Sequence, residues 1–348
     1  MNADSNVNTV PTNIEELEEL LSRPNERLVE ACRHWQGDLI LLGVGGKMGP
    51  TMARMALRAL RMAGVNHRVI GVSRFGDRVV RDRLDSWGAK TIACDLLDAA
   101  AVAKLPDAAN VIAMSGFKFG ASEHPDRAWA TNCYMPALIC QRYRHSRIAA
   151  FSTGNVYGLV PQHSGGSVET DPLHPVGEYA MTALGRERMY EYFCKQYGVP
   201  TALLRLNYAT ELRYGVLVDL ARQVAERKPV DLSMSYVNVI WLADANAMSL
   251  LALDHARCPA RIINVAGPEI LATRHVCALL AERLGVELLV TGQEHTDALL
   301  NNGRLGHQLL GEPEVLADQM ISWTAQWVAQ GGPFLDKPTH FQSRSGKF

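Results

Sequence analysis

The chain has 348 residues, 47 % hydrophobic and 20 % charged, which excludes a disordered chain and exceeds what one compact core usually holds. Lys plus Arg number 35 against 36 for Asp plus Glu, a net charge of -1 that lacks the footprint of a general nucleic-acid or acidic-membrane binder and points to small-molecule ligands. No run approaches the roughly 18 to 20 apolar residues of a membrane span, residues 1–11 are polar and unlike a secretory signal, and seven cysteines show no CxxC or Cys/His ligand spacing. The expectation is a soluble, cytoplasmic protein with reduced thiols and no metal.

Residues 12–36 read as an N-terminal helical extension, interrupted by Arg23-Pro24-Asn25 and stopped by Gly37. From Asp38 short apolar runs alternate with helical periodicity, the pattern of a parallel sheet with crossover helices. The runs 39–42, 69–72, 91–93, 111–114, 148–151 and 202–204 are each bounded by turn-forming or polar residues and predict buried parallel strands. Between the first two, Met52, Met55, Ala56, Ala59 and Leu60 fall on one helical face, completing a βαβ unit.

After Arg205 come a helix near 217–225, an apolar run at 237–242, a helix to about 256, a strand at 261–265 and helices near 273–285 and 313–329. The predicted fold class is α/β: a Rossmann-type doubly wound parallel sheet with a smaller α/β substrate lobe and the helical extension. The dinucleotide-binding unit is assigned to 37–204 with 236–256 returning to it, the substrate lobe to 205–235 and 257–332. Residues 333–348 are read as a surface-draped or mobile tail.

The first strand runs directly into Gly43-Val44-Gly45-Gly46-Lys47-Met48-Gly49-Pro50, with Gly43, Gly46 and Gly49 spaced as GxxGxxG. Gly43 allows the tight exit, Gly46 lets a pyrophosphate approach, and Gly49 allows close helix-on-sheet packing, while the helix N-terminus offers free N–H groups. Lys47 and Met48 join the candidate cofactor contacts, Lys47 as a phosphate contact or as a solvated loop lysine. The second strand ends in Ser73-Arg74 instead of an acidic residue for a ribose 2′-OH, which favours NADP(H) over NAD(H); the alternative leaves Arg74 on a solvated loop beside Asp77 and Arg78. Asp95-Leu96 follows the third strand, placed to meet an adenine or to cap the next helix.

In these residues the chain resembles the extended short-chain dehydrogenase/reductase family, which holds many sugar epimerases, dehydratases and reductases. The likeness spans about residues 38–331. It rests on the glycine turn, Asp95-Leu96, Asn132, Phe151-Ser152-Thr153-Gly154-Asn155-Val156-Tyr157-Gly158, the segment Glu169 to Pro175 leading into Tyr179, Arg205-Leu206-Asn207, and Asn264-Val265-Ala266-Gly267. The resemblance implies a nicotinamide-dependent enzyme in which Thr153 holds the substrate oxygen and Tyr179 passes its proton, with Tyr157 structural. It also implies a homodimer formed through helices near 126–144 and 177–197.

The family pattern Tyr-x-x-x-Lys is broken, for the fourth residue after Tyr179 is Ala183. That lysine would bind the nicotinamide ribose and lower a tyrosine pKa that is ordinarily about 10. Lys118, on a glycine-flanked loop after the fourth strand, is the candidate replacement, with a solvent-exposed loop lysine as the alternative; Arg186 ranks lower because Glu178 and Glu187 offer it ordinary salt bridges. Where nucleotide-sugar members carry Arg-Asp, this chain has Val237-Asn238, which favours a smaller sugar, sugar acid or other carbonyl or alcohol. Asn155, Asn207, Arg213, Tyr214 and Asn238 are candidate substrate contacts. The competing function is a non-catalytic dinucleotide-binding sensor or scaffold.

Overall fold

A computed structural model describes residues 10–346; residues 1–9 of the polar start and 347–348 of the tail lie outside the described residues. Seven strands form one parallel sheet: β1 (Leu39–Leu42), β2 (Val69–Ser73), β3 (Lys90–Ala93), β4 (Asn110–Ala113), β5 (Arg147–Thr153), β6 (Thr201–Leu206) and β7 (Arg261–Val265), in the order 7-6-5-4-1-2-3. All four residues of β1 are buried, as a parallel strand covered on both faces requires.

The chain reverses its direction of travel between β1 and β4. In open α/β sheets the crevice at the carboxyl ends of the strands, at this switch point, receives the ligand. One face of the sheet packs on helices Gly49–Met62 and Leu242–Leu251 and on Glu26–His34; the other packs on Met135–Arg142 and Gly177–Tyr197.

A second core is built from helices Val216–Ala225, Thr273–Leu284 and Ala317–Ala329, with Trp241 and Trp323 edge to face at 5.3 Å between centroids. Two-stranded pieces stitch this lobe, including Ile240–Trp241 beside Ala209–Thr210. Two segments sit differently from expectation. Strand β7, expected in the smaller lobe, pairs with β6 along its whole length because the chain returns from the lobe to the sheet edge. The N-terminal helices are integral to both cores, Leu17 and Leu21 packing in the lobe and Leu28, Cys32 and Trp35 under the sheet. The tail to residue 346 is draped, one of the two expected alternatives, and it is anchored by Phe341, only 2 % exposed.

A buried ion pair locks the sheet to the helix that carries Tyr179. Arg205 donates from Nε and Nη2 to the two oxygens of Glu187 (3.0 and 2.8 Å), and Ser152 Oγ donates to the same carboxylate. Arg205 also donates to Tyr157 Oη, which donates to Asn264 Oδ1, both at 2.8 Å. Tyr157 is therefore a structural residue, its hydroxyl pushed up to about 12 mainly by burial.

Candidate active site

The turn after β1 is packed too tightly for side chains. Gly43 has φ +95°, and a Cβ there would collide with Ser115; one at Gly49 would enter the backbone of Val44. Gly45 and Gly46 remain exposed at the head of helix Gly49–Met62. A nucleotide pyrophosphate can thus reach bare backbone and the free N–H groups of a helix N-terminus.

Two clefts meet at this turn. The first, about 330 Å³, is walled by Gly43, Gly46, Ser73, Arg74, Asp95 and Leu96, bringing together six of the proposed cofactor residues. Arg127, which was not singled out in the sequence, lines it too, its guanidinium 5.3 Å from the Phe117 ring centroid. Asp95 does not cap the next helix: its Oδ1 accepts from Leu97 N at 3.0 Å, and Asp98 caps Ala99–Ala103. The donor set fits an adenosine half, with glycine backbone for phosphate and Arg74 and Arg127 as cations at the rim.

The second cleft, about 340 Å³, lies between the sheet and the smaller lobe and holds Lys47, Met48, Lys118, Thr153, Asn155, Tyr179, Asn207 and Tyr214. Thr153 ends β5 and is buried; Asn155 Nδ2 donates to its Oγ1 at 2.9 Å. Lys118 Nζ lies 5.5 Å from the Tyr179 ring centroid and 5.3 Å from that of Phe119. Its ammonium is pushed down to about 8 by burial, although part of its side chain stays accessible in the cleft.

Ala183, where the resemblance implies a lysine, is buried against Val156 and Tyr157 in a small apolar cluster. One turn further along, Arg186 enters the site and does not form the salt bridges expected with Glu178 and Glu187. Glu187 is taken by Arg205; Arg186 is buried, donates from Nη1 to Phe151 O at 3.0 Å and from Nη2 to Asn132 Oδ1, and leaves Nε unpartnered. Asn132 is turned inward by a π-helical turn, Ala130–Tyr134, and its amide brackets Phe117 N and O at 3.0 and 2.9 Å, fixing the loop that carries Lys118.

Two expected substrate contacts lie elsewhere. Asn238 is buried outside the cleft wall, its amide spent on Asn207, Gly267 O and Asn301 O. Arg213 is held by Glu211 and Glu18 (3.1 and 3.2 Å) and faces a neighbouring cavity. Asn207 does line the cleft, tethered to Asn238 Oδ1 at 2.7 Å. Next to it Tyr208 takes φ +36°, unusual for a bulky residue, a feature invisible in the sequence.

Comparison with known proteins agrees with this architecture. The chain resembles, at 16 % identity and a TM-score of 0.70, the structure of Pal from Bacillus thuringiensis, covering 84 % of this chain and 98 % of that one. A variant of UDP-glucuronic acid 4-epimerase from Bacillus cereus, in complex with a fluorinated UDP-glucuronic acid and NAD, is similar at 16 % identity and a TM-score of 0.72, over 84 % and 99 % of the two chains. UDP-glucose 4-epimerase from Thermotoga maritima is similar at 16 % identity and a TM-score of 0.67, with the same coverage. No curated protein matches the chain in sequence. The family model of the NAD dependent epimerase/dehydratase family matches residues 39–268, two thirds of the chain, running from β1 through β7. By that match the chain belongs to the NAD-dependent epimerase/dehydratase family, a family of enzymes.

Proposed function

We propose that the protein is an NAD(P)-dependent oxidoreductase or epimerase acting on a sugar-like or sugar-acid alcohol or ketone. The observation that carries this reading is that Thr153 and Tyr179 share one cleft with the glycine turn. A bound nicotinamide dinucleotide supplies or accepts the hydride. Thr153 Oγ1 holds the reacting oxygen, and the Tyr179 hydroxyl gives or takes the proton on that oxygen. Lys118 beside the ring stabilises the tyrosinate electrostatically, in place of the lysine missing at position 183.

Gly43, Gly46, Met48, Ser73, Arg74, Asp95 and Leu96 form the cofactor surface in this reading; Lys47, expected as a phosphate contact, projects from the turn into the second cleft and is left out of that surface. Arg74 favours NADP(H) over NAD(H), since a guanidinium pairs with a 2′-phosphate and no acidic residue follows β2. The same reading makes the protein cytoplasmic, supported by seven free cysteines and by the lack, among the described residues, of a helix long and apolar enough to cross a membrane. A homodimer is proposed through the helices Pro125–Trp129, Met135–Arg142 and Gly177–Tyr197.

Ala183 favours one competing reading, a dinucleotide-binding sensor descended from an enzyme. The deciding experiment follows absorbance at 340 nm with NADP+ and NAD+ over a panel of sugars and sugar acids, beside fluorescence titration of NADPH. Turnover with NADP+ preferred supports the proposal; tight NADPH binding with no hydride transfer across the panel supports the sensor.

A further inference from the structure

Lys47 does not point toward Arg74 and the first cleft. Its Nζ lies on the face of Tyr214, 3.1 Å from the ring centroid, and 5.0 Å from the centroid of Phe119. It thus projects from the glycine turn across the second cleft toward the smaller lobe. Its nearest carboxylates, Asp219 and Glu211, act on it through space without a hydrogen bond. Both are committed elsewhere: Asp219 Oδ2 accepts from Thr339 N and Oγ1 (2.7 and 2.6 Å), and Glu211 holds Arg213. Lys118 and Lys337 repel the Lys47 ammonium further. An ammonium on an aromatic face, with other cations nearby and no carboxylate of its own, favours an external anion.

Thr339 of the C-terminal segment lines this cleft, while Leu335, Asp336, Lys337, Pro338 and His340 line the neighbouring cavity that Lys47 also borders. Leu335 N donates to Arg213 O at 3.1 Å, Asp336 pairs with Arg222 at 2.9 Å, and Thr339 is fixed to Asp219. Further on, Arg344 pairs with Asp297 at 2.6 Å, and Gly346 packs against Val176 and Gly177 at the head of the Tyr179 helix. The segment therefore crosses from the lobe to the helix that carries Tyr179. Thr339 lines the cleft itself, and His340 lies 6.1 Å from Phe119 between ring centroids. The structural neighbours are covered over 98–99 % of their length while covering only 84 % of this chain, so about a sixth of it is additional to them.

We propose that Lys47, lying on Tyr214 behind the C-terminal segment, anchors an anionic group of the substrate, so that the site selects a compact hydroxy or keto acid over a neutral sugar and over a nucleotide-linked one. This rests on the oxidoreductase or epimerase reading and names the substrate class for it. The anion is a carboxylate or a phosphate monoester.

The test is ligand-observed NMR on the full chain saturated with NADP+, using glucuronate, glucose 6-phosphate, glucose and UDP-glucuronate as probes, with NADPH affinity measured separately by fluorescence. Glucuronate or glucose 6-phosphate is expected to bind, the tighter of the two identifying the source of the anion, with glucose at least tenfold weaker and UDP-glucuronate no tighter than glucuronate. Lys47→Met should weaken the bound acid at least tenfold and change NADPH affinity less than threefold.

Equal binding of glucose, UDP-glucuronate tighter by tenfold, or no binding of any probe would overturn the proposal. So would a Lys47→Met variant that loses NADPH as strongly as the acid, since Lys47 would then belong to the cofactor pyrophosphate. Acid binding that depends on Lys47 in a protein that binds no dinucleotide would leave this inference standing and remove the reading on which it is framed.

Discussion

Single side chains decide whether this site can move a proton. Lys118 lies beside the Tyr179 ring, and a cation there favours the tyrosinate. Lys118→Met is expected to lower kcat by roughly 100-fold, the usual range for impairing a general acid–base group, and to move the acidic limb of the kcat profile for alcohol oxidation to higher pH. Lys118→Arg should restore part of both; a profile unmoved by either variant would remove Lys118 from the relay. Lys47, pushed down to about 7 by burial and then by Lys118 and Lys337, gives a second pH dependence. Its charged form predominates below pH 7, so acid binding should weaken as pH rises from 6 to 8, measured by the same NMR titration; His340 and Asp219 border it and are the groups to mutate as controls. Of these residues the motif made Thr153 and Tyr179 legible. Arg186 was misjudged because local spacing offered it Glu187, whereas the fold gives Glu187 to Arg205 on the adjacent strand. Asn238, a candidate substrate contact or a structural residue by sequence, is a buried tether, because the fold brings Asn207, Gly267 and Asn301 around its amide.

At the scale of elements, all seven sheet strands were visible in the sequence, six of them as short apolar runs bounded by turn or polar residues; β3, expected to be buried, lies at the sheet edge with Lys90 and Ala93 exposed and Thr91 and Ile92 half-buried. Their placement was less visible: β7 follows a long excursion through the lobe, and nothing local in Arg261–Val265 states that its partner is β6. The buried Arg205–Glu187 pair joins that edge of the sheet to the Tyr179 helix. Removing one partner strands a buried charge, so Glu187→Ala should cost about 3–5 kcal/mol in urea unfolding. Helix Leu242–Leu251 carries Asp244, buried in its first turn, with Oδ2 accepting from Val315 N at 3.1 Å. Burial pushes its carboxyl up to about 7. Because the folded-state value is raised, the stability it contributes is present below about pH 4 and is lost as pH rises through 7. Asp244→Asn keeps an acceptor without the charge, and its melting temperature should exceed that of the parent at pH 8 and approach it at pH 4.

For the molecule as a whole, the N-terminal helices pack into both cores and the C-terminal segment packs into that of the smaller lobe, a role that composition alone did not reveal. Their apolar residues looked like an appended helix and a polar tail until the packing of Leu17, Leu28 and Phe341 placed them in the interior. A further whole-molecule feature is the exposure of Trp129, Tyr134, Met181 and Tyr192 on the helices proposed to pair. Exposed aromatic residues of this kind are enriched at protein interfaces. Light scattering should find a dimer of the full chain, and Tyr134→Glu with Met181→Glu should leave a folded monomer; a parent monomer at micromolar concentration would contradict the proposed pairing. The central claim, proton transfer by Tyr179, is tested most directly with Tyr179→Phe, measuring hydride transfer at 340 nm and NADPH affinity on one preparation. The expected result is turnover reduced at least 1000-fold with NADPH affinity within threefold of the parent. An undiminished rate would contradict the assignment of Tyr179 as the acid–base.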